Sequence, residues 1–119
     1  MSALVLLLQT KRGRCGEWAN AFTMVCCAMG LRARLTLDMT DHVWTEVFIE
    51  ESEEDRSKGR WVHMDACENL FDAPLVYERG WGKKLNYVFS YHKEGVNDVS
   101  LRYTRDFANL KPQRHFATE

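Results

Sequence analysis

A chain of 119 residues with a formal net charge of −1 and a pI near 6.4 is one domain at most, and it lacks the basic surplus of a nucleic-acid surface. With 45% hydrophobic residues, among them four Trp, six Phe and four Tyr, it can fill a modest core and is not a disordered chain. The four cysteines, at 15, 26, 27 and 67, form neither a dense framework nor a Cys-x-x-Cys pair. They read as reduced thiols of an intracellular protein, and His63 with Cys67 is only half a metal site.

At the N-terminus, Ala3 to Leu8 is an apolar run too short to span a bilayer and without the flanks of a signal peptide. It reads as a segment made to pack against a partner surface. A basic glycine turn, Arg12-Gly13-Arg14-Cys15-Gly16, follows, its glycines freeing the backbone. Trp18, Phe22, Val25, Cys26 and Met29 then recur at three- and four-residue steps, predicting one apolar face of a helix over 15–29. Gly30 suits the left-handed position that ends a helix. Cys15 falls in the first turn, where unpaired N–H groups and the positive end of the helix dipole favour thiolate, and Arg12 and Arg14 act in the same sense. A buried structural cysteine is the competing reading.

Leu31, Ala33, Leu35 and Leu37 alternate with Arg32, Arg34 and Thr36, the pattern of a half-buried strand. After a turn at 38–41, His42-Val-Trp-Thr-Glu-Val-Phe-Ile49 is a second strand, with His42, Trp44, Glu46 and Phe48 on one face. Residues 50–59 are polar or charged apart from Gly59 and read as a solvated hairpin loop. Arg60 to Ala66 is a third strand, with Trp61, His63 and Asp65 on one face. An antiparallel register joining Phe48 to Gly59 sets His42 opposite Asp65 and His63 opposite Trp44.

Residues 67–75 read as a loop. Gly80-Trp81-Gly82 reads as a turn whose Trp81 is either core or the floor of a cleft. Leu85 to Tyr91 and Val96 to Tyr103 read as fourth and fifth strands, and Arg105 to Glu119 as a frayed tail. The expected architecture is α+β: a catalytic core over residues 1–104, with an N-terminal helix laid on an antiparallel sheet, and a tail over 105–119.

Cys15, His42 and Asp65 then form a nucleophile, a base and an orienter, in that chain order. Asp41, beside His42, is the alternative orienter. His63, His92 and His115 are weaker candidates for the base, and Glu46 and Glu68 are possible substrate contacts.

These residues carry a resemblance. Gly13-Arg14-Cys15-Gly16-Glu17-Trp18-Ala19-Asn20, Thr40-Asp41-His42-Val43-Trp44-Thr45-Glu46, Asp65-Ala66-Cys67-Glu68 and Gly80-Trp81-Gly82-Lys83-Lys84 resemble the core of the cytoplasmic peptide:N-glycanases, within the transglutaminase-like superfamily. The resemblance runs from about Leu6 to Tyr103. It implies a papain-like core with Cys15 as nucleophile, His42 as general base and acid and Asp65 as orienter, and a cleft lined by Trp18, Glu46, Glu68 and Trp81. It implies an amidase that removes N-glycans from asparagine of misfolded glycoproteins in the cytoplasm, with ubiquitin or proteasome shuttle factors as partners.

The family also carries a structural zinc on two Cys-x-x-Cys pairs ahead of the nucleophile, a segment for which Met1 to Thr10 leaves no room. The chain is therefore expected to be a truncated core that binds no metal itself, with weakened stability and activity. Two other classes stay open: another thiol enzyme of the superfamily, a transglutaminase or protease, and an inactive binding module like relatives in DNA-damage recognition. The intact triad argues against the second.

Overall fold

The computed structural model describes residues 9–110. The apolar run Ala3 to Leu8, His115 and most of the expected tail lie outside the described residues.

Helix α1 spans Cys15–Ala28. Gly30 closes it at φ 84°, its N–H donating to the Cys27 carbonyl at 3.0 Å, the left-handed stop that the sequence suggests. The buried face is turned from the expected one. Ala19 and Cys26 are buried and Phe22 packs beside them, whereas Val25 and Met29 are exposed.

The sheet is antiparallel throughout and runs in the order β4-β3-β2-β1-β5-β6. Its strands are β1 (Ala33–Asp38), β2 (His42–Glu50), β3 (Gly59–Asp65), β4 (Leu70–Phe71), β5 (Val88–His92) and β6 (Gly95–Asp98). The two-residue strand β4 falls inside the expected loop. The expected fifth strand ends at Asp98, and the chain turns instead into a short helix α2, Ser100–Tyr103; a second, α3, spans Phe107–Leu110.

Helix α1 covers one face of the sheet, where Phe22, Cys26, Ala33, Val47 and Met64 make one apolar cluster. The Thr45 hydroxyl adds polar pins, donating to the Ala19 carbonyl at 3.3 Å and bonding the Thr23 hydroxyl at 2.9 Å. The second face is covered by the chain after β4, where Trp44, Tyr77, Leu85, Val88 and Tyr103 form the other cluster. Three layers result, and this corrects the half-buried reading of β1. Arg34, Thr36 and Asp38 point into the second layer and are buried, more so than Leu35 and Leu37.

The β2–β3 register is also corrected. Glu50 pairs with Gly59 and Phe48 with Trp61, so Glu46 lies opposite His63 and Thr45 opposite Met64. This is two residues from the expected pairing. A shift of two preserves which face each side chain occupies, whereas a shift of one inverts it.

Candidate active site

Three elements converge at one end of β2. Along α1, Ala19 and Thr23 meet Thr45, and Cys26 meets Val47. The helix therefore runs in the same direction as β2, and its N-terminus, with Cys15, lies toward the His42 end. Cys67, two residues beyond Asp65, reports the same proximity. Its thiol is pushed up by burial first, and then by the charges of Glu68, Asp65, Cys15 and Glu17.

The first intrahelical bond is Trp18 N–H to the Arg14 carbonyl at 3.1 Å. The N–H groups of Cys15, Gly16 and Glu17 thus point out of the helix end, beside the half-buried thiol. Arg14 N–H is bonded by the Glu17 carboxylate at 2.9 Å, which fixes the turn. Gly16 is not required by the turn: it lies within the helix, and a side chain there would meet nothing within 4 Å.

The corrected register places Asp65 one step along from His42, on the same face. His42 Nε2 lies 2.7 Å from Asp65 Oδ2, both side chains being buried. With Nε2–H donated to the carboxylate, Nδ1 is the basic nitrogen of the neutral ring. Asp65 Oδ2 also accepts the Tyr77 hydroxyl at 2.7 Å, and Oδ1 accepts Glu68 N–H at 3.2 Å. Burial raises the Asp65 pKa, but the bonds from His42 and Tyr77 outweigh it and hold the carboxyl below its ordinary value. It is an anion whenever the site works.

Tyr77 sits on a π-helical turn, Val76–Gly80, a device often found at functional sites. The turn points Tyr77 inward and Trp81 outward. Trp81 is 44% exposed, with its ring centroid 5.1 Å from that of His42 and 4.9 Å from that of Tyr77. That exposure removes Trp81 from the core. Lys83 Nζ anchors the following loop by pairing with buried Asp38 at 2.6 Å.

The other expected contacts divide. Glu68 is exposed and Trp18 half-buried, whereas Glu46 is fully buried with both oxygens engaged. Oε1 accepts Arg34 at 2.7 Å and 2.8 Å, and Oε2 accepts Arg102 at 2.7 Å and the Tyr103 hydroxyl at 2.6 Å. Glu46 thus offers substrate no free oxygen and joins β1, β2 and α2. Asp41 is exposed at φ 103° beside His42, and the carboxylate that bonds His42 is that of Asp65.

His63, a weaker candidate for the base in the sequence, is 1% exposed and bonds Tyr77, not a substrate surface. No local periodicity singled out Tyr77. Burial pulls the His63 pKa from 6.5 down to about 4, against the opposing charges of Asp65, Glu46 and Asp72. Stability should follow. Above pH 6.5 neither folded nor unfolded chain binds this proton. Between 6.5 and 4 only the unfolded chain does, so stability falls with pH, by up to about 3 kcal/mol. Thermal midpoints between pH 7.5 and 4.5 check this: the fall should be smaller in His63→Gln, and equal falls would refute it.

Limited alkylation at neutral pH is expected to label Cys15 before Cys26 and Cys67, whose thiols are raised chiefly by burial. Exposed Cys27 is the relevant control. Labelling of Cys27 ahead of Cys15 would remove the special character assigned to the helix end.

Among the described residues no group of three or more His, Cys, Asp or Glu side chains is placed to hold a metal ion.

Known proteins are similar to this chain in sequence. The transglutaminase-like superfamily profile matches residues 2–66, and the Rad4 transglutaminase-like domain profile matches residues 38–118. Proteins named peptide-N(4)-(N-acetyl-beta-glucosaminyl)asparagine amidase are similar to this chain. The one from Arabidopsis thaliana is 49% identical over 95% of the chain and 15% of its own length. Those from Gallus gallus and Homo sapiens are 56% and 55% identical over 82% of the chain and 14% of their own lengths. The chain thus spans about one seventh of these relatives. With the superfamily profile covering more than half of its residues, and a helix-borne cysteine directed at a sheet-borne His–Asp pair, this chain belongs to the transglutaminase-like superfamily.

Proposed function

We propose that this chain carries the catalytic centre of an amidase that hydrolyses the bond between an N-glycan and its asparagine, on misfolded glycoproteins in the cytoplasm. The observation that carries the reading is the buried His42–Asp65 pair, at 2.7 Å, at the end of the sheet toward which α1 directs Cys15. The names of the relatives at 49% to 56% identity supply the substrate class.

His42 Nδ1 takes the Cys15 proton, and the thiolate attacks the side-chain amide carbon of the glycosylated asparagine. The N–H groups of Cys15 and Gly16 at the start of α1 are suited to the developing oxyanion. The imidazolium, held by Asp65 through Nε2–H, then protonates the departing nitrogen from Nδ1. The C–N bond breaks, a glycosylamine leaves and a thioester to Cys15 remains. Water, giving its proton to the same Nδ1, cleaves the thioester, and asparagine becomes aspartate. Exposed Trp81 offers a flat apolar surface for a sugar ring beside the reacting bond. The family's structural zinc would be held outside the residues described, and the ubiquitin and proteasome shuttle factors belong to the same family-based reading.

Hydrolysis of a glycopeptide in isotopically heavy water tests the route. One heavy oxygen should enter the new aspartate, and the released glycan should be intact. A sugar left on asparagine would indicate glycosidase chemistry. Incorporation of an added amine in preference to water would favour a transglutaminase.

A further inference from the structure

Beyond the triad, one buried run of hydrogen bonds has a direction that the atoms themselves fix. Asp65 is a carboxylate and can only accept, so the single Tyr77 hydroxyl proton points to Asp65 Oδ2. Tyr77 Oη must then accept from His63 Nε2, 2.6 Å away. His63 Nδ1 is left as an acceptor, and there it meets the Ala73 N–H at 3.1 Å. A proton on Nδ1 would face that N–H directly. His63 is thus held neutral in one tautomer, consistent with its depressed pKa. The run reads Ala73 N–H to His63, His63 to Tyr77, and Tyr77 to Asp65, where His42 donates from the other side.

We infer that Tyr77 and His63 are positioning residues of the active centre: the Tyr77 hydroxyl, aimed by neutral His63, shares Asp65 Oδ2 with the His42 ring and fixes the carboxylate that orients His42. A carboxylate turns readily about its last torsion. If the Tyr77 donor were removed, only His42 itself and the long 3.2 Å bond from Glu68 N–H would hold Asp65 among the described residues. Tyr77 is fully buried, and burial together with its bond to Asp65 pushes the phenol far above its ordinary pKa, so it remains a donor throughout the working range. His63 is flanked by Glu46 across the β2–β3 pair, by Asp72 beyond β4 and by His42, yet its ring nitrogens bond Tyr77 and Ala73.

The test compares Tyr77→Phe, which removes one oxygen, with His63→Leu and His63→Gln. The amide nitrogen of glutamine can replace the Nε2–H donor. For each variant, the thermal midpoint, the pH dependence of Cys15 alkylation by iodoacetamide, and kcat and KM on a glycopeptide are measured. In Tyr77→Phe the pH of half-maximal Cys15 alkylation should rise by about one unit, kcat should fall roughly tenfold to a hundredfold, and KM should change little. His63→Leu should resemble it, His63→Gln should retain most of the rate, and the double variant Tyr77→Phe/His63→Leu should be no worse than Tyr77→Phe alone. A folded Tyr77→Phe with wild-type alkylation and kcat overturns the inference, as do losses that multiply in the double variant. If Tyr77→Phe does not fold, His63→Gln against His63→Leu decides. If neither Tyr77→Phe nor His63→Leu folds, the run is a structural network and the inference falls. The inference rests on the amidase reading only for the kcat arm. A wild-type chain whose Cys15 alkylates but which cleaves no glycopeptide refutes that reading and leaves the alkylation series to judge this one.

Discussion

Asp65→Asn is expected to fold and to lose about four orders of magnitude in kcat for amide hydrolysis. Either placement of the new amide is wrong. With its NH₂ toward Glu68, two donors face each other where a 3.2 Å hydrogen bond stands now. With its NH₂ toward His42 and Tyr77, two donors that share one oxygen at 2.7 Å lose their acceptor, and His42 is driven to the opposite tautomer. In neither case does a negative charge stabilise the imidazolium. Asp41→Asn is the control: it is exposed, and asparagine tolerates positive φ. Its rate should stay near wild type. If the Asp41 variant, equally folded, were the more damaged of the two, the orienter would have to be reassigned.

Glu46→Ala is expected to have the largest effect on stability, about 3 to 5 kcal/mol, with a fall of some 10 to 20 °C in thermal midpoint. The loss comes chiefly from what the mutation leaves behind. Arg34 is only 6% exposed and would keep its charge without the carboxylate that now receives it twice. Its stacking over Trp61, at 3.9 Å, does not replace that bond. Glu46→Gln, which keeps one acceptor, should lose less. A Glu46→Ala protein with an unchanged midpoint and a raised KM would return Glu46 to the substrate cleft.

The sequence carried β2, β3, α1 and the three residues proposed to react for definite physical reasons. β-branched and aromatic residues mark the two strands, and a glycine turn followed by helical periodicity marks the cysteine-bearing helix. The His42–Asp65 pair survived a register error because the error was two residues, leaving both side chains on one face as diagonal neighbours. Polar residues of β1 misled because alternation shows which residues differ, not which side has a covering layer. Arg34 and Asp38 are buried by partners that come much later in the chain, Arg102 through their shared Glu46 and Lys83 directly. Tyr77 was invisible for the same reason. Its role depends on a π turn that brings it back over β3, and no short window records that approach.

The proposed function requires that Cys15 attack the glycosylated asparagine. Its most direct test is to incubate the chain, and its Cys15→Ala form, with a denatured N-glycoprotein and to map the peptides by mass. The account predicts aspartate at the former glycosylation sites with the unmodified chain, and intact glycosylated asparagine with an equally folded Cys15→Ala. Deglycosylation by Cys15→Ala at the wild-type rate, or no conversion by a folded wild-type chain, would contradict it.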